Sequence, residues 1–152
     1  MTLTKAILSD IPEMQALVLP EVETGVILPR SDDEIATNIR SYVLAKKNDL
    51  VIGYGALHIH SMRLAEIRSL IVRTEYRGQG VGEALVRFML DEAKALRVAQ
   101  EVLALTYTPP FFAKLGFVEI DKETIPEHKI WADCIKCKHF PVCNEVAMVY
   151  EV

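Results

Sequence analysis

Arg77-Gly78-Gln79-Gly80-Val81-Gly82 holds three glycines just ahead of a long amphipathic segment. Inside a helix, glycine costs up to about 1 kcal/mol against alanine. At a helix start it lets a ligand approach the backbone and leaves N–H groups bare. Those groups, with the positive end of the helix dipole, form an anion site. The spacing therefore predicts a loop that grips a phosphate or pyrophosphate. It is not the G-x-G-x-x-G dinucleotide fingerprint, because Glu83 stands where the last glycine would be, and the Gly-Lys-Ser/Thr of a P-loop is missing. A second constellation is Cys134-x-x-Cys137 with Cys143 and His139, near His128 and Asp133. Its thiolate spacing fits a structural zinc set, although the six residues from Cys137 to Cys143 are not a common finger spacing. The alternatives are three reduced cysteines or a labile disulfide. The reading adopted is that no metal is bound.

The elements that must position these residues follow from periodicity. Leu3 to Leu8 reads as a short strand, and Ser9-Asp10-Ile11-Pro12 as a helix entry with Met14, Leu17 and Val18 on its apolar face. Ser31 and Glu34 form a capping box for a second helix through Ile35, Ile39 and Tyr42. Val43–Ala45, Leu50–His60 and Ala65–Val72, separated by short turns, predict a three-stranded antiparallel meander. Val81, Ala84, Leu85, Phe88 and Ala95 mark one face of the helix after the glycine loop, with Glu83, Arg87 and Asp91 opposite. Glu101–Thr106 is a strand reached by a parallel crossover. A short helix from Pro109 to Gly116, a strand at Phe117–Ile120 and a last strand from Glu145 complete the chain. The fold class is α/β, with a mixed, mostly antiparallel sheet flanked by helices. A single domain over residues 1–152 is expected.

Composition narrows the class. The chain is 51% hydrophobic and 25% charged, with a net charge of −4. It is not built to bind nucleic acid by bulk charge. No apolar run approaches the roughly 20 residues that span a bilayer, and Met1 to Met14 is no secretory signal. Three cysteines are an odd number and make no secreted disulfide framework, so a cytoplasmic protein is expected.

Arg77-x-x-Gly80-x-Gly82, placed after a strand and before a helix, resembles the acetyl-coenzyme A signature of the GCN5-related N-acetyltransferase (GNAT) family. Phe111-Phe112-Ala113-Lys114-Leu115-Gly116-Phe117 is similar to that family's aromatic-x-Lys-x-Gly-Phe motif. The resemblance implies the acyl-CoA N-acyltransferase fold, with acetyl-CoA as co-substrate. It implies a pyrophosphate on the backbone around Arg77, Gly78, Gly80, Val81 and Gly82. The pantetheine arm would run beside Leu70 and Val72 as an added strand. The strands on either side of the signature helix would splay to open the cleft.

Four segments look like short N-acetylglutamate synthases, the amino-acid acetyltransferases that open arginine biosynthesis. They are Leu28-Pro29-Arg30-Ser31, Glu66-Ile67-Arg68-Ser69-Leu70, Leu105-Thr106-Tyr107 and Lys129-Ile130-Trp131-Ala132-Asp133-Cys134. The fused amino-acid kinase domain of longer synthases, and the arginine-feedback site that goes with it, are expected to be absent. The partner implied is a small amino acid, best L-glutamate, and a homodimer is expected as the commonest soluble assembly. By this resemblance Glu66 is the catalytic base and Arg30 a substrate-carboxylate ligand, with Arg68 and Lys129 as further cations. Strand alternation puts Glu66, Arg68 and Leu70 on one face, and Ile67, Ser69 and Ile71 on the other. The family's usual acid, a tyrosine, is replaced by Phe112, which leaves Tyr107 or water to protonate the leaving thiolate. A backbone N–H near Leu70 would stabilise the oxyanion. The alternatives are another amine acceptor (another amino acid, a polyamine, a protein N-terminus) or a non-catalytic acyl-CoA sensor.

Overall fold

A computed structural model describes residues 1–125 and 145–152. Seven strands form one sheet in the order β1-β2-β3-β4-β5-β7-β6. They are β1 (Thr2–Lys5), β2 (Tyr42–Lys47), β3 (Leu50–Ile59), β4 (Leu64–Val72), β5 (Glu101–Thr106), β6 (Val118–Ile120) and β7 (Val146–Glu151). Among the described residues four α-helices accompany them: α1 (Ile11–Glu23), α2 (Asp32–Thr37), α3 (Val81–Ala95) and α4 (Pro109–Ala113). The expected meander is present as β2-β3-β4, and β1 extends it antiparallel to β2. Asn48 and Asp49, both at positive φ, make the tight β2–β3 turn that such a hairpin requires.

The sheet carries a core on each face. On one side Val81, Leu85, Val86, Met89 and Ala93 of α3 pack against Val43, Ile52, Ile67 and Val102. On the other, Met14 and Val18 of α1 and Ile35 of α2 cover Leu44, Val51, Tyr54 and Ile71. The α3 stripe thus runs through Met89 and Ala93, while Ala95 is exposed.

Several element boundaries differ from the sequence reading; α4, for one, ends at Ala113 and not at Gly116. The first strand stops at Lys5, because Leu8–Asp10 turns into a 3-10 helix that leads into α1. The second helix does not reach Tyr42. It begins at the expected Ser31 cap but ends at Thr37, and Tyr42 pairs with Ala56 as the first residue of β2. Helical spacing at Ile35, Ile39 and Tyr42 was outweighed by a sheet position that buries the tyrosine ring against Tyr54.

The arrangement at β4 sets up everything that follows. It pairs in parallel with β5 only from Leu64 to Ile67, opposite Glu101 to Ala104. Beyond those residues β5 continues beside β7, while β4 continues beside β3. The two strands therefore diverge and a cleft opens between them.

Candidate active site

The cleft has a volume of about 700 Å3. Its walls are the diverging ends of β4 and β5, the glycine loop, and the chain between α1 and α2. Glu66, Arg68, Leu70, Val72, Arg77, Gly78, Gly80, Val81, Gly82, Tyr107 and Arg30, all singled out in the sequence, line it together. Lys129, Cys134, Cys137, His139 and Cys143 lie outside the described residues.

The glycine loop has the expected form. Gly80 is the N-cap of α3 in the left-handed region, at φ 83°, and no side chain caps the helix. Gly78 is also left-handed, at φ 76°, and a Cβ at either position would meet nothing within 4 Å. Backbone conformation, not crowding, requires glycine there. The first-turn N–H groups of α3 have no intrahelical acceptor, and they open onto the cleft. Arg77 donates through Nε to the Val72 carbonyl at 2.9 Å and through Nη2 to Glu21 at 3.2 Å, tying the loop to the end of β4 and to α1.

Within β4 the simple alternation fails. Ala56 faces Arg68 and Tyr54 faces Ile71, so Gly55 stands opposite two residues, Ser69 and Leu70. This is a β-bulge, with Ser69 at φ 56°. Glu66 and Arg68 do share a face, as expected. Leu70 does not join them: the extra residue turns it to the α3 side, where it packs with the core that holds Ile67. Sequence alternation counted one residue too few. The bulge takes Ser69 and Leu70 out of one-to-one pairing with β3, at the mouth of the divergence.

Glu66 is the most buried charged group of the described site, at 4% exposure. Its Oε1 accepts from Arg68 Nε at 2.8 Å and lies 2.8 Å from His60 Nε2. Burial alone would raise the carboxyl. The His60 hydrogen bond and the Arg68 charge outweigh it and hold the group below its ordinary value. Glu66 is therefore an anion at neutral pH, and His60 Nε2 is the donor.

The two histidines were missed in the sequence. His58 faces Glu66 directly across β3–β4, and His60 lies two residues on, with ring centroids 5.8 Å apart. Counting register outward from the Ser61–Arg63 turn would have found both, since residues that alternate on facing strands meet on one face. Burial, then the charges of Arg68 and His60, push the His58 imidazole down to about 4.

Arg30 is held through its backbone: Gln15 Nε2 donates to its carbonyl at 2.7 Å. Tyr107 follows the last residue of β5 and lines the cleft. Phe112 is 5% exposed and meets Phe111 and Phe117 edge to face, with ring centroids 5.0 and 5.1 Å away. It is a wall of the cleft without a proton to give.

A family described as the acetyltransferase (GNAT) domain matches residues 38–119, more than half of the chain. The chain belongs to the GNAT acetyltransferase family. It is 39% identical over 128 residues to an uncharacterized N-acetyltransferase of Chlorobaculum tepidum, covering 82% of this chain and 79% of that protein. It is 34% identical over 117 residues to the amino-acid acetyltransferase of Mycobacterium tuberculosis, covering 74% of this chain and 66% of the relative. Among solved structures, it is similar to N-acetylglutamate synthase from Neisseria gonorrhoeae complexed with coenzyme A and N-acetyl-glutamate. That likeness has a TM-score of 0.86 at 25% identity over 99% of this chain. This chain spans only 34% of the Neisseria synthase and 28% of the Actinobacillus pleuropneumoniae amino-acid acetyltransferases. Like other GNAT proteins, it is an acetyl-CoA-dependent N-acetyltransferase. Among the described residues, no helix is long and apolar enough to cross a membrane.

Proposed function

We propose that this protein transfers the acetyl group of acetyl-CoA to the α-amino group of L-glutamate, the reaction that opens arginine biosynthesis. One observation carries the reading. A buried, ionised Glu66 stands where β4 and β5 diverge, and two guanidiniums, Arg30 and Arg68, line the same cleft. A carboxylate beside the thioester answers the need for a base, and the guanidiniums answer the need for an anionic acceptor. The names of the amino-acid acetyltransferase and synthase relatives agree with it.

The chemistry runs as follows. Glu66 takes a proton from the substrate ammonium, directly or through water. The freed amine attacks the thioester carbonyl, and the C–N bond forms as the oxyanion develops. The Leu70 N–H, at the bulge, is suited to meet that oxyanion. The C–S bond then breaks. Of the two protons that nitrogen loses, one ends on the coenzyme sulfur and the other reaches solvent. Tyr107 is the residue best suited to protonate the sulfur, since Phe112 cannot. Coenzyme binding draws on the loop from Arg77 to Gly82 and on Leu70 and Val72 of β4.

Steady-state assays across a panel of amino acids, polyamines and peptide N-termini test the assignment. Glutamate is expected to give the highest kcat/KM, and no turnover with glutamate would overturn it. Tyr107→Phe should lower kcat with the KM for acetyl-CoA unchanged. An unchanged kcat would leave thiolate protonation to water.

A further inference from the structure

On the α2 side of the sheet lies a second cavity of about 230 Å3. Arg30, Arg68 and Ser69 line both this cavity and the main cleft, so they form the partition between the two. Asn38, Tyr42 and His58 make up most of its remaining wall, together with Glu34. Several of these groups are engaged. The Glu34 carboxylate accepts the Ser31 N–H at 3.1 Å, and Asn38 Nδ2 donates to the Glu34 carbonyl at 3.0 Å. His58 differs. Its Nδ1 is fully enclosed and has no hydrogen-bond partner among the described residues. Such an atom is costly to leave unmet, and it marks a place where a partner arrives.

The cavity's size and charge say what kind of partner. At roughly 30 Å3 per water, it holds about seven waters or a carboxylate on a short alkyl stem. Two guanidiniums, Arg30 and Arg68, and the Glu34 carboxylate line it, and Arg68 also reaches Glu66 through Nε. A guanidinium presents a planar fork of N–H donors suited to a carboxylate. Tyr42 keeps its proton, because burial raises it. The His58 imidazole is neutral at physiological pH, so it offers an N–H without adding charge. His58 also stands directly opposite Glu66, and a cross-strand pair of this kind is separated by about 5 Å. An amino acid with a second carboxylate can span the distance from the base to this pocket.

We propose that this second cavity receives the side-chain carboxylate of the acceptor, between Arg30 and Arg68, with a hydrogen bond from His58 Nδ1. The inference rests on the amino-acid acetyltransferase reading and deepens it. The α-amino group stays with Glu66 in the main cleft, and the far end of the same molecule crosses the arginine partition. His58 then reads dicarboxylate against amide.

Kinetics of the wild type and of His58→Leu, His58→Asn and His58→Gln, with glutamate and glutamine as acceptors, test it. His58→Leu should raise the KM for glutamate about tenfold or more, with kcat and the KM for acetyl-CoA held, and should shrink the preference over glutamine. An asparagine amide reaches the Nδ1 position and should restore the KM, whereas glutamine reaches the Nε2 position and should not. If His58→Leu fails to fold, as loss of acetyl-CoA binding would show, the Asn and Gln pair decides alone. A glutamate KM unchanged in His58→Leu, or Asn and Gln variants that behave alike, overturns the pocket assignment. A wild type that acetylates other amines and no dicarboxylic amino acid overturns the underlying reading, and this assignment with it.

Discussion

In the proposed reaction Glu66 divides its two oxygens between structure and chemistry. Oε1 accepts both the Arg68 and the His60 hydrogen bonds, which leaves Oε2 to meet an acceptor or a water. Glu66→Gln keeps the shape and removes the base, and should lower kcat at neutral pH by about 10²- to 10⁴-fold. The deficit should narrow as pH rises toward the acceptor's own amine pKa, where no base is needed. A kcat–pH profile of the variant reads this directly. His60 acts through Glu66, as a positioning residue. With His60→Ala the largest opponent of the burial effect is gone, so the Glu66 carboxyl rises. The acid limb of the rate profile should then move to higher pH. A uniform loss at every pH would mean that His60 only packs.

At the scale of elements, the bulge in β4 and the cap of α3 shape the cleft. Ser69 holds a positive φ, so Ser69→Gly should be tolerated with little change in kcat or melting temperature. Deleting Ser69 would restore one-to-one pairing, with Leu70 opposite Gly55 and still on the α3 side. By removing the bulge at the mouth of the cleft it should abolish turnover. At the α3 cap, Gly80→Ala meets no atom but imposes the left-handed cost of roughly 1–2 kcal/mol. It should lower stability in denaturant titrations by that amount and raise the KM for acetyl-CoA. These two elements also show what the sequence could and could not disclose. The glycine loop was legible because only glycine suits its backbone, and residue type therefore betrays conformation. The capping box at Ser31 was legible for the same reason. The bulge was not, since a serine at positive φ leaves no compositional mark. Its position depends on the β3–β4 pairing, which comes from tertiary packing. Tyr42 was misassigned because helical spacing and a buried strand position both favour an aromatic residue. His58 and His60 stayed hidden because a histidine on a strand carries no meaning until its cross-strand neighbour is known.

For the whole molecule, the half-buried His58 has a thermodynamic signature. His58 titrates near 6.5 when unfolded and at about 4 when folded. Between those values the unfolded chain holds the extra proton, so stability falls as pH falls through that interval. His58→Asn should flatten this part of the stability–pH curve in urea titrations. A second molecular consequence follows from the parting of β4 from β5. Among the described residues no strand pairs with the β5 side of β4 past Ile67, so without coenzyme its peptide groups there are open to an extended chain, including another copy of this protein. Bound coenzyme would cover the same groups, so its concentration should govern both melting temperature and resistance to aggregation. A ligand at 100 times its Kd adds about 2.7 kcal/mol by mass action. Light scattering during thermal ramps should show the coenzyme-free protein clouding first. On that outcome the co-substrate would double as a safeguard against aggregation.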